Sequence, residues 1–415
     1  MRIVLIYQHF LVSGIGSTKP HGLARDLVAA GHDVTVICGR GLLSQGVDVP
    51  PGLLRRLDID GVRVLSVGVR YAQRMGFARR IAAFLAFTLV AIWLVCRLPR
   101  YHVLLASSTP LTVGLAALVA RYARRVPYVF EVRDLWPEVP FAAGYLRSWL
   151  LFSIAKWFEE WFYREAAVVT AVGRRMCARL VERGVPVRKV FFFPSGARLS
   201  EFDGPPDAAF RAEHGLDGCW VAVYMGTIGR VNGLDYLVEA ATHLKGRGDV
   251  RLVLVGDGSE RHRLEAEASR RGVAQVIRFV PPIRRERVPG VLKAADATLL
   301  INASGPGMQY VMTSKFYDYL AAGRPILVNA ECEAAEWIRA AGAGLFAEPD
   351  DPALLAAAID RLRADPDEAA AIGRRARNLA AKEFNQADLN ARWEQLLVRV
   401  AAERAGAARS RGARP

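Results

Sequence analysis

Residues 313–327, TSKFYDYLAAGRPIL, combine a helical pattern, a Gly-Arg-Pro stop and an apolar strand. Ser314 is expected to cap the helix, because a serine side chain can accept a hydrogen bond from a free backbone N–H group of the first turn. An apolar stripe at helical spacing consists of Phe316, Tyr319, Leu320 and Gly323. A helix that leads directly into an apolar strand predicts one unit of a parallel α/β sheet.

The same helix carries a cation and an anion near its start. Lys315 and Asp318 are three residues apart and are expected on the side opposite the apolar stripe. Unpaired N–H groups and the positive end of the helix dipole favour an anion there, and a carboxylate can accept hydrogen bonds from sugar hydroxyls. A nucleoside diphosphate would satisfy both groups. The alternative is an ordinary surface ion pair.

Length and composition predict a two-domain globular protein. The chain has 415 residues, of which 52% are hydrophobic and 23% charged, and this excludes general disorder. Its five cysteines show no CxxC spacing, so neither a disulfide framework nor a zinc site is indicated, and reduced cytosol is expected. The opening MRIVLIY has the alternation of a strand rather than the pattern of a secretory signal, and the N-terminus is expected to stay inside the cell.

The net charge of +15 is unevenly distributed along the chain. Residues 1–200 contain 27 Lys and Arg against 12 Asp and Glu, whereas residues 201–415 contain 29 of each kind. Such asymmetry suits an anionic partner, either nucleic acid or the inner membrane leaflet. Aromatic residues do not alternate with the Arg clusters as in nucleic-acid binders, so no nucleic-acid partner is expected.

Two apolar stretches in the first half point to a membrane. Residues 81–96, IAAFLAFTLVAIWLVC, have no charge and are flanked by arginines, which predicts a membrane-dipping helix that presents Phe84, Phe87 and Trp93 to lipid. The alternative is a buried core helix. Residues 149–163, WLLFSIAKWFEEWFY, form a Trp-rich helix that suits lipid headgroups or packing between two strands.

Both halves of the chain alternate strands and helices. This pattern predicts an α/β protein with two Rossmann-like, doubly wound parallel-sheet domains that face a cleft. Pro and Gly mark residues 194–215 as the linker. The expected organisation is a membrane-associated acceptor-binding domain over 1–195, a nucleotide-sugar domain over 196–385, a helix over 386–404 that returns to the first domain, and a disordered basic tail over 405–415.

Small and polar residues follow several of the expected strands. Gly14, Gly16, Ser107, Ser108, Gly256 and Asp257 are expected at the carboxyl ends of strands, where ligands bind in doubly wound sheets. The alternative for the glycines is a plain tight turn, since G-x-G alone is a weak signal.

The order of several motifs resembles the family 4 retaining glycosyltransferases of the GT-B fold over nearly the whole chain. The motifs are SGIGS at 13–17, Gly-His at 31–32, GTIGRVNGLDYLVEA at 226–240, LVGDGSE at 254–260, RFVPPI followed by VPGVLKAAD, and SKFYDYLAAGRPIL. EVRDLWPE at 131–138 resembles the branch that builds O-antigen and capsule units on lipid carriers, including N-acetylfucosamine transferases.

The resemblance implies a donor site in the second domain. Asp318 matches the family acid that holds the nucleotide ribose, whereas the partner acid eight positions earlier is Tyr310 here. Family cations that flank the pyrophosphate are replaced by Thr227 and Asn232, so Lys315 and Arg230 are the available cations. The expected donor-binding residues are Gly14, Gly16, Arg230, Gly256, Asp257, Val280, Ser314, Lys315 and Asp318.

The catalytic His of the family has no evident counterpart, because the corresponding loops read SSTP and RDLWP. The candidates are instead Glu131, Arg133, Asp134 and Glu138, with a salt-bridged strand end as the alternative, and Ser107 and Ser108 belong to the expected acceptor loop. No metal cluster or cofactor is expected.

The expected reaction is transfer of a sugar, with retention, from a nucleotide donor, most simply a UDP-sugar, to a polyprenyl-diphosphate-linked saccharide at the inner face of the cell membrane. Two alternatives remain open: a nucleotide-sugar 2-epimerase of the same fold, and a basic membrane-binding protein without catalysis.

Overall fold

The computed structural model describes residues 1–14, 18–69, 75–138, 141, 144, 146–305 and 307–412. The chain divides into two compact units. Unit 1 contains Met1–Pro194 together with Ala387–Pro415, and unit 2 contains Ser195–Gln386.

Unit 1 is built on an eight-stranded sheet. Its elements are β1 (Arg2–Tyr7), α1 (Lys19–Ala29), β2 (Asp33–Gly39), α2 (Arg40–Leu43), β3 (Leu54–Ile59), β4 (Val62–Val67), α3 (Phe77–Arg97), β5 (Val103–Ser107), α4 (Val113–Tyr122), β6 (Tyr128–Val132), α5 (Trp149–Glu165), β7 (Val168–Ala171), α6 (Arg174–Glu182) and β8 (Val190–Phe192). The strand order is β3-β4-β2-β1-β5-β6-β7-β8, and every neighbouring pair is parallel except β3 with β4.

The antiparallel pair is a hairpin that the sequence analysis did not identify. Asp60 and Gly61 connect its strands with φ angles of 53° and 76°, the left-handed conformation that an Asp-Gly turn adopts readily. Arg55 and Arg56 lie exposed on the edge strand β3. Charged side chains on an edge strand oppose pairing with another sheet.

Unit 2 contains a six-stranded parallel sheet in the order β11-β10-β9-β12-β13-β14. Its elements are α7 (Ala208–Glu213), β9 (Trp220–Met225), α8 (Asp235–His243), β10 (Val250–Val255), α9 (Arg261–Arg270), β11 (Ile277–Val280), α10 (Val288–Ala294), β12 (Ala297–Leu300), α11 (Ser314–Ala322), β13 (Ile326–Val328), α12 (Glu333–Ala341), β14 (Gly344–Phe346), α13 (Pro352–Ala364) and α14 (Pro366–Glu383). Strands buried on both faces explain the continuous apolar runs at these positions.

Two segments differ from expectation. Residues 194–215 are not a bare linker, because they contain a 3₁₀ turn, Leu199–Phe202, and helix α7, which bury Phe202 and Phe210 within unit 2. The final helix, α15, runs Gln386–Gly412. It therefore continues through most of the basic tail that was expected to be disordered, since Ala and Arg favour helix.

Helix α15 packs on the sheet of unit 1. Trp393 lies with its ring centroid 4.4 Å from that of Phe193, and the Asn390 side chain donates to Asp26 at 2.7 Å. His32 Nε2 lies 3.0 Å from the Glu394 carboxylate. Apolar and polar contacts together hold the end of the chain against its beginning.

Each sheet has one point where the chain changes its direction of winding. In unit 1 the point lies between β1 and β5, and in unit 2 it lies between β9 and β12. Loops that leave such neighbouring strands diverge to opposite faces of the sheet, and the space between them is the usual ligand site of a doubly wound fold. The polar residues that follow these four strands are therefore the first to consider.

Candidate active site

Lys315 lies at the switch point of unit 2. Its ammonium nitrogen donates to the carbonyl of Ile301, which follows β12, at 3.2 Å. It also lies 4.2 Å from the ring centroid of Tyr224 on β9. Burial lowers the pKa of Lys315 to about 7, with a smaller opposing effect from Cys332. The Lys315 ammonium group thus contacts one ring face and one carbonyl but no carboxylate of a described residue. A bound anion would raise the pKa of Lys315 back toward its ordinary value.

Asp318 does not pair with Lys315. The buried carboxylate instead accepts two hydrogen bonds from Arg285, at 2.6 and 3.0 Å, and Arg285 also contacts Glu201 at 2.9 Å. Burial opposes the charge of Arg285, but Asp318 and Glu201 raise its pKa. The surface ion pair considered from sequence is therefore wrong, because Lys315 extends toward Tyr224 while Asp318 faces the loop after β11.

The capping prediction for this helix is also wrong. The N-cap of α11 is Thr313, which makes no side-chain capping hydrogen bond, and Ser314 is the exposed first residue of the helix. Phe316 N–H donates to the Thr313 carbonyl at 3.2 Å. Because no side chain caps this helix start, the backbone N–H groups of Ser314 and Lys315 can donate to a ligand.

The two glycines after β10 are required by the close packing of the backbone that follows β9. A Cβ on Gly256 would lie 1.9 Å from the carbonyl oxygen of Gly226, and one on Gly258 would lie 2.2 Å from that of Ile228. Gly256 also has a φ of 152°. Ile228 N–H donates to the carbonyl of Asp257 at 2.9 Å and thereby joins the two loops. These glycines let one loop lie directly on the other at the carboxyl edge.

The remaining donor candidates surround this pair of loops. Val280 ends β11, and its carbonyl accepts from Gly256 N–H at 3.0 Å. Asp257 is exposed and its carboxylate accepts from Gly258 N–H at 2.8 Å. Arg230 is exposed in the 3₁₀ turn Arg230–Asn232, while the side-chain oxygen of Asn232 is buried and has no hydrogen-bond partner in the described part of the chain.

Sequence reasoning missed two arginines at this edge. Arg261, the first residue of α9, donates to the carbonyl of Gly256 at 3.0 Å and pairs with Glu265 at 2.8 Å. Arg285 holds Asp318 as described above. Neither arginine belongs to one of the motifs that resemble the glycosyltransferase family. The only sequence signal was their position close to the ends of β10 and β11.

In unit 1, Glu131 lies near the end of β6 with a buried carboxylate. Its Oε2 atom has no hydrogen-bond partner among the described residues. The Tyr7 hydroxyl lies beside both this carboxylate and Ser107, and burial together with Glu131 raises the pKa of Tyr7 well above its usual value. Tyr7 therefore stays protonated and can donate at the ends of β1, β5 and β6.

The loops after β5 and β6 are tied to each other. Ser108 N–H donates to the carbonyl of Glu131 at 3.0 Å, and the Ser108 hydroxyl accepts from Arg133 N–H at 3.2 Å. Thr109 donates to the exposed carboxylate of Asp134 at 2.8 Å. Ser107, Ser108, Glu131, Arg133 and Asp134 are thus brought together at one edge of the sheet.

Glu138 belongs to a different cluster. It pairs with Arg179 at 3.2 Å and with Arg183 at 3.7 Å, both on or next to α6. Arg183 also pairs with Glu159 of α5, whose pKa burial raises to about 6. Glu138 therefore matches the alternative to a catalytic role, a salt-bridged position. Its arginine partners belong to a group of ion pairs that joins α5 to α6.

Comparison with known proteins shows two consecutive family domains. Residues 16–196 match the glycosyl transferase 4-like domain, and residues 207–379 match the glycosyl transferases group 1 domain. The chain is a GT-B glycosyltransferase. The predicted fold and enzyme class are thereby confirmed.

Relatives and structures agree with this assignment. WcaI of Escherichia coli (strain K12), named as a colanic acid biosynthesis glycosyl transferase, is 31% identical over 39% of this chain and 40% of its own length. The glycosyltransferase WbjE of Pseudomonas aeruginosa is 26% identical over 69% of this chain and 72% of its own. The Anabaena protein Alr3699/HepE in complex with UDP has a TM-score of 0.69 and 15% identity, covering 96% of this chain and all of that one.

Two of the predicted lipid-contacting residues of the glycosyltransferase are in its core. On α3, Phe84 and Phe87 are 4% and 0% exposed, whereas Trp93 is 48% exposed. The prediction for Phe84 and Phe87 is wrong because α3 packs with this side against the rest of unit 1. The exposed face of α3 instead carries Leu85 and Leu89, at 44% and 67%.

Residues Ala78–Arg97 are long and apolar enough to cross a bilayer, and among the described residues they are the one helix that is. Length and composition alone do not distinguish a membrane span from a core helix, and one face of α3 packs in the core.

Two sequence predictions concern the first loop and metals. Gly14 has a φ of 107°, a conformation that favours glycine, while Gly16 lies outside the described residues.

In the part of the chain that the structure describes, no three His, Cys, Asp or Glu side chains are grouped to hold a metal ion.

Proposed function

We propose that this glycosyltransferase moves a sugar from a UDP-sugar to a saccharide linked to a polyprenyl diphosphate, with retention of anomeric configuration, at the inner face of the cell membrane. The observation that carries the donor part is the partly desolvated ammonium of Lys315 at the unit 2 switch point. A site of this kind gains a counter-charge when a diphosphate binds.

The donor would extend along the carboxyl edge of unit 2. Lys315, the free N–H groups at the start of α11 and the exposed Arg230 supply positive charge for the diphosphate. The Asp318 carboxylate, oriented by Arg285, can accept hydrogen bonds from the ribose. UDP in the Alr3699/HepE structure supports a uridine nucleotide.

Lys315 would contribute most in the transition state. As the glycosidic bond breaks, negative charge grows on the leaving diphosphate, and a fixed cation in a water-poor site stabilises that charge strongly. In unit 1, the exposed Asp134 is the proposed acceptor of the hydroxyl proton, with Glu131 and Tyr7 nearby to orient the acceptor.

Polysaccharide assembly is supported by WcaI, whose name refers to colanic acid biosynthesis. A lipid-linked acceptor is supported by an exposed apolar face on unit 1. This apolar face consists of Leu85, Leu89 and Trp93 on α3, Tyr122 on α4, and Trp149, Leu150, Leu151, Ile154 and Trp157 on α5.

The three helices of the apolar face pack side by side. Thr88 of α3 donates to Thr112 at the start of α4 at 2.7 Å, and Trp161 of α5 lies 3.4 Å from the hydroxyl of Tyr122. A Cβ on Gly114 would lie 2.3 Å from the ring of Phe162, so α4 and α5 can approach closely only with glycine there.

Basic residues border this face. The Arg97 guanidinium lies 5.7 Å from the ring centroid of Trp93, and Arg121, Arg125 and Arg147 are exposed beside the other apolar residues. Tryptophans among arginines match the headgroup region of an anionic leaflet.

A screen of nucleotide sugars tests the donor. Thermal shift and hydrolysis would be measured with UDP- and GDP-sugars, beginning with UDP-N-acetyl-aminosugars because EVRDLWPE resembles the N-acetylfucosamine transferases. We expect stabilisation by UDP compounds, turnover unchanged by EDTA, and a product of the same anomeric configuration by NMR. Stabilisation by GDP-sugars alone, or inversion, would contradict the proposal.

A further inference from the structure

A second charged site lies at the switch point of unit 1. Strands β1, β2 and β4 are parallel, so helix α3, which follows β4, begins at the same carboxyl edge at which β1 and β6 end. This edge therefore brings together His9 after β1, Arg133 after β6 and Arg80 in the first turns of α3.

Arg80 is in an unfavourable place for a cation without a ligand. It lies near the start of α3, where the helix dipole is positive and no acidic residue occupies the first turn. Its Nε atom is buried and has no hydrogen-bond partner among the described residues. Arg80 is half-buried as a whole, but a buried N–H group without a hydrogen-bond partner costs free energy that a bound anion would recover.

Arg133 converges on the same place. Its backbone is held by Ser108, and its guanidinium makes no ion pair with a described carboxylate. The pKa of His9 is lowered to about 4, first by burial and then by the charges of Arg133 and Arg80. Both arginines therefore lie close enough to one imidazole to act on its charge.

We propose that Arg80 and Arg133, beside His9, bind a diphosphate, and that this diphosphate belongs to the lipid-linked acceptor. Two guanidinium groups and a helix N-terminus suit the charge of a diphosphate better than that of a neutral sugar. Leu85 and Leu89 begin the apolar face about one and a half to two and a half helical turns after Arg80, on the side of α3 that faces away from the core. A lipid diphosphate could thus leave its chain in the bilayer and place its headgroup at the end of β1.

The acceptor assignment rests on the proposed function, because the UDP part of the donor carries a diphosphate too. Calorimetric titrations with farnesyl diphosphate, farnesol and UDP distinguish the two sources. The variants are Arg80→Gln and Arg133→Gln, with Arg79→Gln as the matched control, since Arg79 is the exposed neighbour on the same helix. Arg80→Lys tests whether restored charge restores binding.

We expect Arg80→Gln and Arg133→Gln to lower the affinity for farnesyl diphosphate at least about tenfold. Farnesol and UDP should bind to these variants with the same affinity as to the wild type. Arg79→Gln should change nothing, Arg80→Lys should recover part of the affinity, and all variants should unfold at similar temperatures.

Unchanged farnesyl diphosphate affinity in both Gln variants would overturn the site. A matching loss of UDP affinity would assign the diphosphate to the donor and overturn the acceptor assignment. If the wild type binds farnesyl diphosphate in an Arg80-dependent way but does not bind UDP, the proposed donor fails and this site is supported.

Discussion

At the scale of single residues, Lys315 connects structure to chemistry most directly. Replacing it by Ala should lower kcat/KM about 100-fold, or roughly 2.7 kcal/mol, because the lost cation faces charge that grows as the donor bond breaks. Steady-state kinetics of Lys315→Ala, with the exposed Lys245→Ala of the same unit as control, measure this. Wild-type UDP affinity in Lys315→Ala would show that the phosphates bind elsewhere.

Lys315 also predicts a pH dependence of donor binding. In the free protein its pKa is about 7, so near pH 8 the amine is largely neutral. A bound diphosphate raises this pKa, hence UDP binding takes up a proton between pH 7 and the ordinary lysine pKa, and affinity falls as pH rises through that window. Calorimetry in buffers of different ionisation enthalpy should detect the uptake, and Lys315→Met should abolish it.

Asp318 and Arg285 should behave as one unit. Asp318→Asn leaves the enclosed guanidinium of Arg285 with Glu201 alone, so it should destabilise unit 2 and raise the donor KM more than it lowers kcat. Denaturant unfolding of both single variants and of Asp318→Asn/Arg285→Met is expected to give a coupling of about 2 kcal/mol. Additive losses would mean that the carboxylate and guanidinium act independently.

At the scale of elements, α3 has two faces with different partners. Serine at Leu85, Leu89 and Trp93 should release the protein from membranes without unfolding it, because these side chains are exposed. Serine at Phe84 and Phe87 should instead unfold it, since truncating one buried Phe costs about 3–5 kcal/mol. Cell fractionation measures the release from membranes, and circular dichroism measures whether each variant stays folded. If the variant with serine at Leu85, Leu89 and Trp93 stays in the membrane fraction, this would argue against lipid contact by the exposed face.

The uniformly apolar composition of α3 explains why the sequence could not separate these faces. Alternation between polar and apolar residues normally marks the exposed side of a helix. On α3 both sides are apolar, and only the packing of α4 shows which one is inner. The hairpin β3–β4 was not predicted either, although its Asp-Gly turn is a recognised hairpin signal.

At the scale of the whole molecule, the excess charge of +15 arises within residues 1–200, which carry the apolar face and its arginines. Binding to vesicles that contain anionic lipid should therefore weaken as salt rises, because screening shortens the range of the attraction. Co-sedimentation at several salt concentrations tests this, with neutral-lipid vesicles as the reference. Equal binding to neutral and anionic vesicles would leave no role for the charge asymmetry.

The periods of strands and helices were sufficient to predict the parallel α/β architecture, because buried strands and amphipathic helices have distinct periods that need no tertiary information. It also placed the strand-end loops, since carboxyl ends follow from the parallel order alone. Lys315 and Asp318 could be singled out in the same way, as charges next to a helix start.

Which side chains contact each other followed from the packing of the folded chain and not from the sequence pattern. Asp318 contacts Arg285 from the loop after β11, and Lys315 contacts Tyr224 from β9, both far away along the chain. Arg80 and Arg133 act on one imidazole although the chain separates them by most of α3 and by β5, α4 and β6. Helical period constrains a side chain relative to its own helix, but its partner depends on how strands and loops distant in sequence pack around it.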